Sequence, residues 1–324
     1  MNPRRAELTA PFRWLIDAVD VGRHQPKIVI GAIVTTAAVG LLPSLPGQLM
    51  GLAGSSPGMG VMVGSQLLAL AFALLVMPVL RAGVYRILDD AEHGRPVRMN
   101  QVFDGFSDGS YGRIVALTAM AMLLFLALML VMLLVMALVV GLDNAQGLQA
   151  WVERVTALQA EAGVGKPIPP AQIEALGMPP GLGAIFAVLL GFLPLWLFVA
   201  LGSAWGLVSV ALRGTAPVDA LLGGLRAAMV NALPLLALVL ALALPLLLLS
   251  MLVALVLGAL VALISAISPV VGGVLALLGF LAISVVVAAI VYGFVLNGWR
   301  AACDTPQAAR GDTPPPAPMA GFEA

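Results

Sequence analysis

Residues 233–263 read LPLLALVLALALPLLLLSMLVALVLGALVAL, and no charged side chain appears from there to Leu296. A soluble domain cannot bury a run of this kind, because the apolar surface left over would face water. Lipid accepts it. A membrane helix needs about 20 apolar residues, since the hydrocarbon core is about 30 Å thick and the helix rises about 1.5 Å per residue. One helix through all of 233–296 would be about twice the thickness of a bilayer, which mismatch forbids. The stretch is therefore two spans, and Ser265, Ser268, Pro269, Gly272 and Gly273 mark the turn between them.

The rest of the chain agrees. Of 324 residues, 61% are hydrophobic and 10% charged, against about 45–50% and about 25% in soluble domains. Mean hydropathy is +1.06. Six segments read as spans: about Lys27–Gln48, Val61–Leu80, Ile114–Val140, Leu182–Leu212, Leu233–Leu263 and Val270–Leu296. A five-span alternative, with the first run re-entrant, stays open, because Pro43, Pro46 and the following glycines soften that end. The first run is read as a retained span and not a cleaved leader: its basic flank is long, and Leu41-Leu42-Pro43 follows in place of a small-residue cleavage site.

Lysine and arginine give the orientation. With the N-terminus cytoplasmic, 14 of the 16 basic residues fall inside, and only Arg154 and Lys166 fall outside. The expected layout is a cytoplasmic segment at 1–26, a six-helix membrane domain at 27–300 and a disordered cytoplasmic tail at 301–324. The outside loop 141–180 is expected to be a small cap, with a short helix over Gln146–Glu161 ending at Gly163 and a proline-rich remainder.

Three inside segments share one spacing. Phe12, Leu15, Ile16 and Val19 precede the first span; Met99, Val102, Phe103 and Phe106 the third; Val218, Leu221, Leu222 and Leu225 the fifth. Each set is i, i+3, i+4, i+7, one face of a helix. These read as short amphipathic helices in the interface plane, with the apolar face against lipid or the bundle. The pattern is either a threefold repeat of interfacial helix plus hairpin or what any juxtamembrane helix must show.

Two stretches, Met77-Pro78-Val79-Leu80-Arg81-Ala82-Gly83 running on to Gly94-Arg95-Pro96-Val97 and Val102–Phe106, and Ala216-Pro217-Val218-Asp219-Ala220-Leu221 running on to Asn231-Ala232-Leu233-Pro234, carry a resemblance. With Gly22-Arg23-His24-Gln25-Pro26, they resemble an uncharacterised family of bacterial inner-membrane proteins with about six helices. That family is similar in layout to the membrane domain found ahead of some bacterial glycerophosphodiester phosphodiesterases. The resemblance covers most of the membrane part, but neither the loop 141–180 nor the tail. It implies a fold and a location, and no catalytic residues.

A search for chemistry finds little. Asp89, Asp90, Glu92 and His93 form an acidic cluster, read as a solvated loop after the second span that balances Arg86 and Arg95. His24 and His93 are far apart in sequence, and the single cysteine, Cys303, makes neither a disulfide nor a thiolate metal site. Phosphate-loop and nucleophile-elbow motifs are absent, and Gly54-Ser55-Ser56-Pro57-Gly58 reads as a loop. The span interiors hold no ionisable residue, with Arg81 read as the end of the second span. Gln66 reads as interhelical glue, and Gly202-Ser203-Ala204-Trp205-Gly206 as a small-residue stretch that lets a helix approach closely. Asp104 and Asp108 are the acids that would face a cavity if the second interfacial helix dipped inward.

The reading is thus an all-α, polytopic transmembrane bundle of about six spans with interfacial helices, multi-pass in the bacterial inner membrane. It is expected to be a non-enzyme with a structural, accessory or envelope-maintenance role. The alternative is a carrier or channel for an uncharged or lipid-like substrate. No catalytic residue, metal site or cofactor is expected. The expected partners are the bilayer and a membrane protein or second copy of the chain, and not nucleic acid, since net charge is zero.

Overall fold

A computed structural model of the chain describes residues 3–20, 22–52, 58–162 and 170–303. Among them there is no strand. The helices are α1 (Ala10–Val19), α2 (Pro26–Leu41), α3 (Leu45–Leu52), α4 (Met59–Ala71), α5 (Met77–Glu92), α6 (Tyr111–Ala162), α7 (Pro170–Leu176), α8 (Leu182–Arg213), α9 (Pro217–Val230), α10 (Ala232–Ile267) and α11 (Pro269–Ala302). A 3-10 turn at Leu42–Ser44 joins α2 to α3, a π turn at Phe72–Val76 joins α4 to α5, and Met99–Phe106 is a 3-10 helix. Six stretches are long and apolar enough to cross a membrane: Pro26–Gly47, Met59–Glu92, Tyr111–Gly141, Leu182–Arg213, Ala232–Ile267 and Val271–Ala302. The turn between the last two falls where expected. Ser268 caps α11 by accepting from the Val271 amide at 3.4 Å, with Pro269 next in its first turn.

The second and sixth spans run past their apolar runs, to Glu92 and Ala302. The polar ends are helical because the face they share is buried: Tyr85, Ile87, Leu88 and Ala91 on α5, and Leu296, Trp299 and Ala302 on α11, are almost wholly covered. The tail 304–324, the loop expected at Gly54–Gly58 and much of the proline-rich part of 141–180 lie outside the described residues.

The chain divides into two units, 1–119 with 201–324, and 120–200. In the second, the expected short helix is present as 142–162, set off from the span by Gly141 at φ 74°. α7 stands beside it, with Trp151 Nε1 donating to the Gly177 carbonyl at 3.2 Å. Phe125 and Trp196 pack as rings 5.8 Å apart.

In the first unit, each interfacial element sits on the last part of a different even-numbered span. α1 lies on α11, where Trp14 meets Gly298 and Asn297 donates to the Trp14 carbonyl at 3.4 Å. The 3-10 helix lies on α5, with the Val102 carbonyl against Gly83 and Gly105 against Val79. α9 lies on α8, with Gly224 against the Gly202 carbonyl and Ala220 against Gly206. The small-residue stretch at 202–206 thus has its partner inside the chain. Each element packs on the end of the span before it, and the first packs on the last.

Of the two expected surroundings, lipid and the bundle, most of the apolar-face residues turn away from the bundle. Ile16, Val19, Met99, Phe103, Phe106, Val218 and Leu222 are exposed, while Pro11, Trp14, Ala18, Val102, Gly105, Ala220, Gly223, Gly224, Ala227 and Ala228 are buried. Of the expected sets, only Val102 and Leu221 are buried, and Phe12, Leu15 and Leu225 are half-buried. The large apolar residues face outward, as lipid permits, and small ones face protein, where backbones come close. The second element also departs in pitch, being 3-10 and not α, so its buried pair is spaced i, i+3.

Candidate functional site at the converging span ends

The late parts of α5, α8 and α11 meet pairwise. Tyr85 and Tyr292 join α5 to α11, ring edge to face at 5.2 Å. Trp205 Nε1 donates to the Val295 carbonyl at 3.1 Å, and Trp299 Nε1 to Ser209 Oγ at 2.7 Å, joining α8 to α11. Arg86 joins α5 to α8 through Nε to the Ala211 carbonyl at 3.0 Å. At this end opens a cavity of about 720 Å³, lined by Asp89, Glu92, His93, Arg95, Arg213, Trp299 and Arg300.

The acidic cluster lines that cavity, and it is not the solvated loop expected from sequence. It occupies the last turn of α5, whose end is closed by Arg95 N donating to the Asp90 carbonyl at 2.9 Å, the bond that finishes many helices. Arg300 Nη2 lies 2.6 Å from Asp89 Oδ1, and its other nitrogen contacts Glu92. Arg95 reaches Asp89 at 2.9 Å and Asp90 at 2.8 Å. The Asp89 side chain is only 18% exposed, so Arg300 balances a charge that water barely screens. Of the two expected local partners only Arg95 is one. Arg86 turns away to Asp108 at 2.5 Å and to Ser110 Oγ at 3.0 Å.

Three other groups lose the freedom that chemistry would need. Burial pushes the Cys303 thiol up to about 12, against the pull of Arg213, so it is a poor nucleophile at neutral pH. Arg213 lies over the Trp299 ring at 4.9 Å. Partial burial disfavours the Asp108 carboxylate, but hydrogen bonds from Ser110 and the Arg86 guanidinium outweigh it and hold its pKa below the usual value. Asp104 is exposed on the 3-10 helix, and neither it nor Asp108 lines the charged cavity. His24 is exposed and likewise absent from that lining. Among the described residues, no three of His, Cys, Asp and Glu gather as a metal site would require.

Two sites were missed in sequence. Arg300 carried no signal beyond its sign, because its partners lie over 200 residues away. Arg81 follows the apolar run but does not end its helix, which continues for eleven residues to Glu92. It lines a second cavity of about 540 Å³ between the first two spans, together with Gln66, Ser65, Ser44 and Met77.

Residues 66–165 match the model of a family described as predicted integral membrane protein (DUF2189). The match takes in most of the second span, the 3-10 helix, the third span and the helix 142–162. No curated protein and no solved structure matches the chain. With six apolar spans and this likeness, the chain is a polytopic helical integral membrane protein, and no specific function is indicated by the likeness.

Proposed function

We propose that the chain is a non-catalytic accessory protein of the bacterial inner membrane, a fixed frame with both termini cytoplasmic. One observation carries this reading. At the converging span ends Arg300 ties α11 to α5 by ion pairs with Asp89 and Glu92, and Arg86 ties α5 to α8 by a hydrogen bond to the Ala211 carbonyl. A carrier that alternates its access must part its helices at each end in turn, and here that would break partly buried ion pairs. The apolar, uncovered surfaces of α10 and α11 suit the bilayer and a membrane-protein partner or second copy. A carrier for a lipid-like substrate is the second reading, favoured by the cavity beside Arg81.

The test is the purified protein in liposomes. No protein-dependent leak of an uncharged solute, no proton uptake under an imposed pH gradient and no lipid scrambling are expected; any of these would put the carrier first. Reporter fusions after Gln48, within 141–180 and after Gly272 are expected to report outside, on the distribution of basic residues. An inside signal from the middle fusion would sink the six-span topology.

A further inference from the structure

We propose that the groove beside Arg81 holds one membrane phospholipid, its phosphate on the Arg81 guanidinium and an acyl chain along Met77, Ala73, Phe72 and Ala69. This goes beyond the frame proposed above, since a bound lipid can be part of a frame.

The depth of Arg81 is fixed by two features of the fold. It stands about 16 Å along the helix from Glu92, at 1.5 Å per residue. The 34-residue helix is about 51 Å long at that rise, so its charged last turns overrun the hydrocarbon core of about 30 Å. Against the same helix, one residue pair either side of it, lie Gly105 at Val79 and Val102 at Gly83. That 3-10 helix exposes Met99, Phe103 and Phe106, the side chains of a segment lying at the boundary of headgroups and acyl chains. Arg81 is therefore at the level of lipid phosphate and glycerol.

The side chain is exposed and opens on the groove. It interacts with the Tyr292 hydroxyl, and among the described residues no carboxylate pairs with it. A guanidinium at that level with no carboxylate partner is free to take an anion from the headgroup layer. At this depth the abundant anion is the lipid phosphodiester, and the planar fork of arginine matches it in two bonds. The groove also has room for an acyl chain. Gly40, Gly47, Ala69 and Ala73 keep its walls low. From Arg81 to Gln66 is about 22 Å along the helix at 1.5 Å per residue, most of the hydrocarbon thickness of about 30 Å.

Native mass spectrometry of the full chain in detergent tests the proposal. The probes are phosphatidylglycerol, diacylglycerol of the same chains, and inorganic phosphate as competitor. The wild type is expected to retain phosphatidylglycerol about tenfold more than Arg81→Gln. It is expected not to retain diacylglycerol, and inorganic phosphate is expected not to displace the lipid. Arg226→Gln, at an exposed arginine on α9, is expected to match the wild type. Equal retention by Arg81→Gln, equal loss in Arg226→Gln, or equal retention of diacylglycerol overturns the site. Displacement by inorganic phosphate also overturns it, since the occupant would then be a free anion. Should Arg81→Gln fail to fold, Gly47→Phe fills the groove instead, at a position where an added Cβ meets nothing within 4 Å. It is expected to lose the lipid with Arg81 intact; full retention by that variant counts against the groove. Lipid retention and liposome flux are separate readouts, so this site and the proposed frame fail separately.

Discussion

Gly224→Ala is expected to lower stability by about 3 kcal/mol. An added Cβ would stand 2.1 Å from the Gly202 carbonyl oxygen and 2.9 Å from the Gly206 nitrogen. Both are backbone atoms of α8, so no side-chain rotation relieves the overlap, and α9 must lift off. Gly83→Ala sets the same conflict on α5, with the Val102 carbonyl oxygen 2.3 Å away. Gly183→Ala, where nothing lies within 4 Å, is the control and is expected to unfold with the wild type. Thermal unfolding in detergent, followed by size-exclusion fluorescence, measures all three. Wild-type behaviour from both Gly224→Ala and Gly83→Ala would mean that the interfacial elements are not seated on the spans as described.

Arg300→Ala is expected to cost about 2–3 kcal/mol, less than the roughly 3–5 of a fully buried pair, because Arg300 and its partners keep 18–27% of their side-chain surface exposed. The loss arises from Asp89 and Glu92, left beside each other without their cation. Arg95 still reaches Asp89 at 2.9 Å and limits the damage there. Removing the stranded charges as well, in Arg300→Ala with Asp89→Asn and Glu92→Gln, is expected to recover at least half of the loss. Chemical unfolding of the four combinations gives the coupling directly. Additive losses, with no recovery in the triple variant, would show that the ion pairs do not hold α11 to α5.

The spans were legible because hydropathy is a local property: 20 residues suffice to read it, and Ser268-Pro269 punctuates even the fused pair. The small-residue stretch at 202–206 was legible as a place of close approach, though not what approaches. The site was not legible in the same way. Asp89 and Arg300 are each ordinary in sequence, and only the folding of α11 against α5 makes them partners. The interfacial faces show what an apolar pattern leaves open. An amphipathic pattern separates apolar from polar, and in water that separates inside from outside. In a bilayer, lipid and protein are both apolar, so the pattern picked Ile16, Phe103 and Leu222, which face away from protein. The better guide is size: Ala18, Gly105, Ala220 and Gly224 mark the protein side.

The seating of α1 on α11 sets a timetable for biogenesis. A ribosome releases α1 early and α11 about 250 residues later, which at about 5–20 residues per second is a delay on the order of tens of seconds. The other two interfacial elements emerge after the spans that receive them and dock at once. Through the delay Trp14 has no Gly298 to meet, and Arg4 N has no Ala302 carbonyl to bind. Protease accessibility of the N-terminal segment in arrested chains of increasing length reports the moment of closure, and protection before Pro269 has emerged would refute this order. A chain cut short anywhere before its last helix is expected to leave α1 without its seat, so the closing of α1 on α11 marks a finished copy.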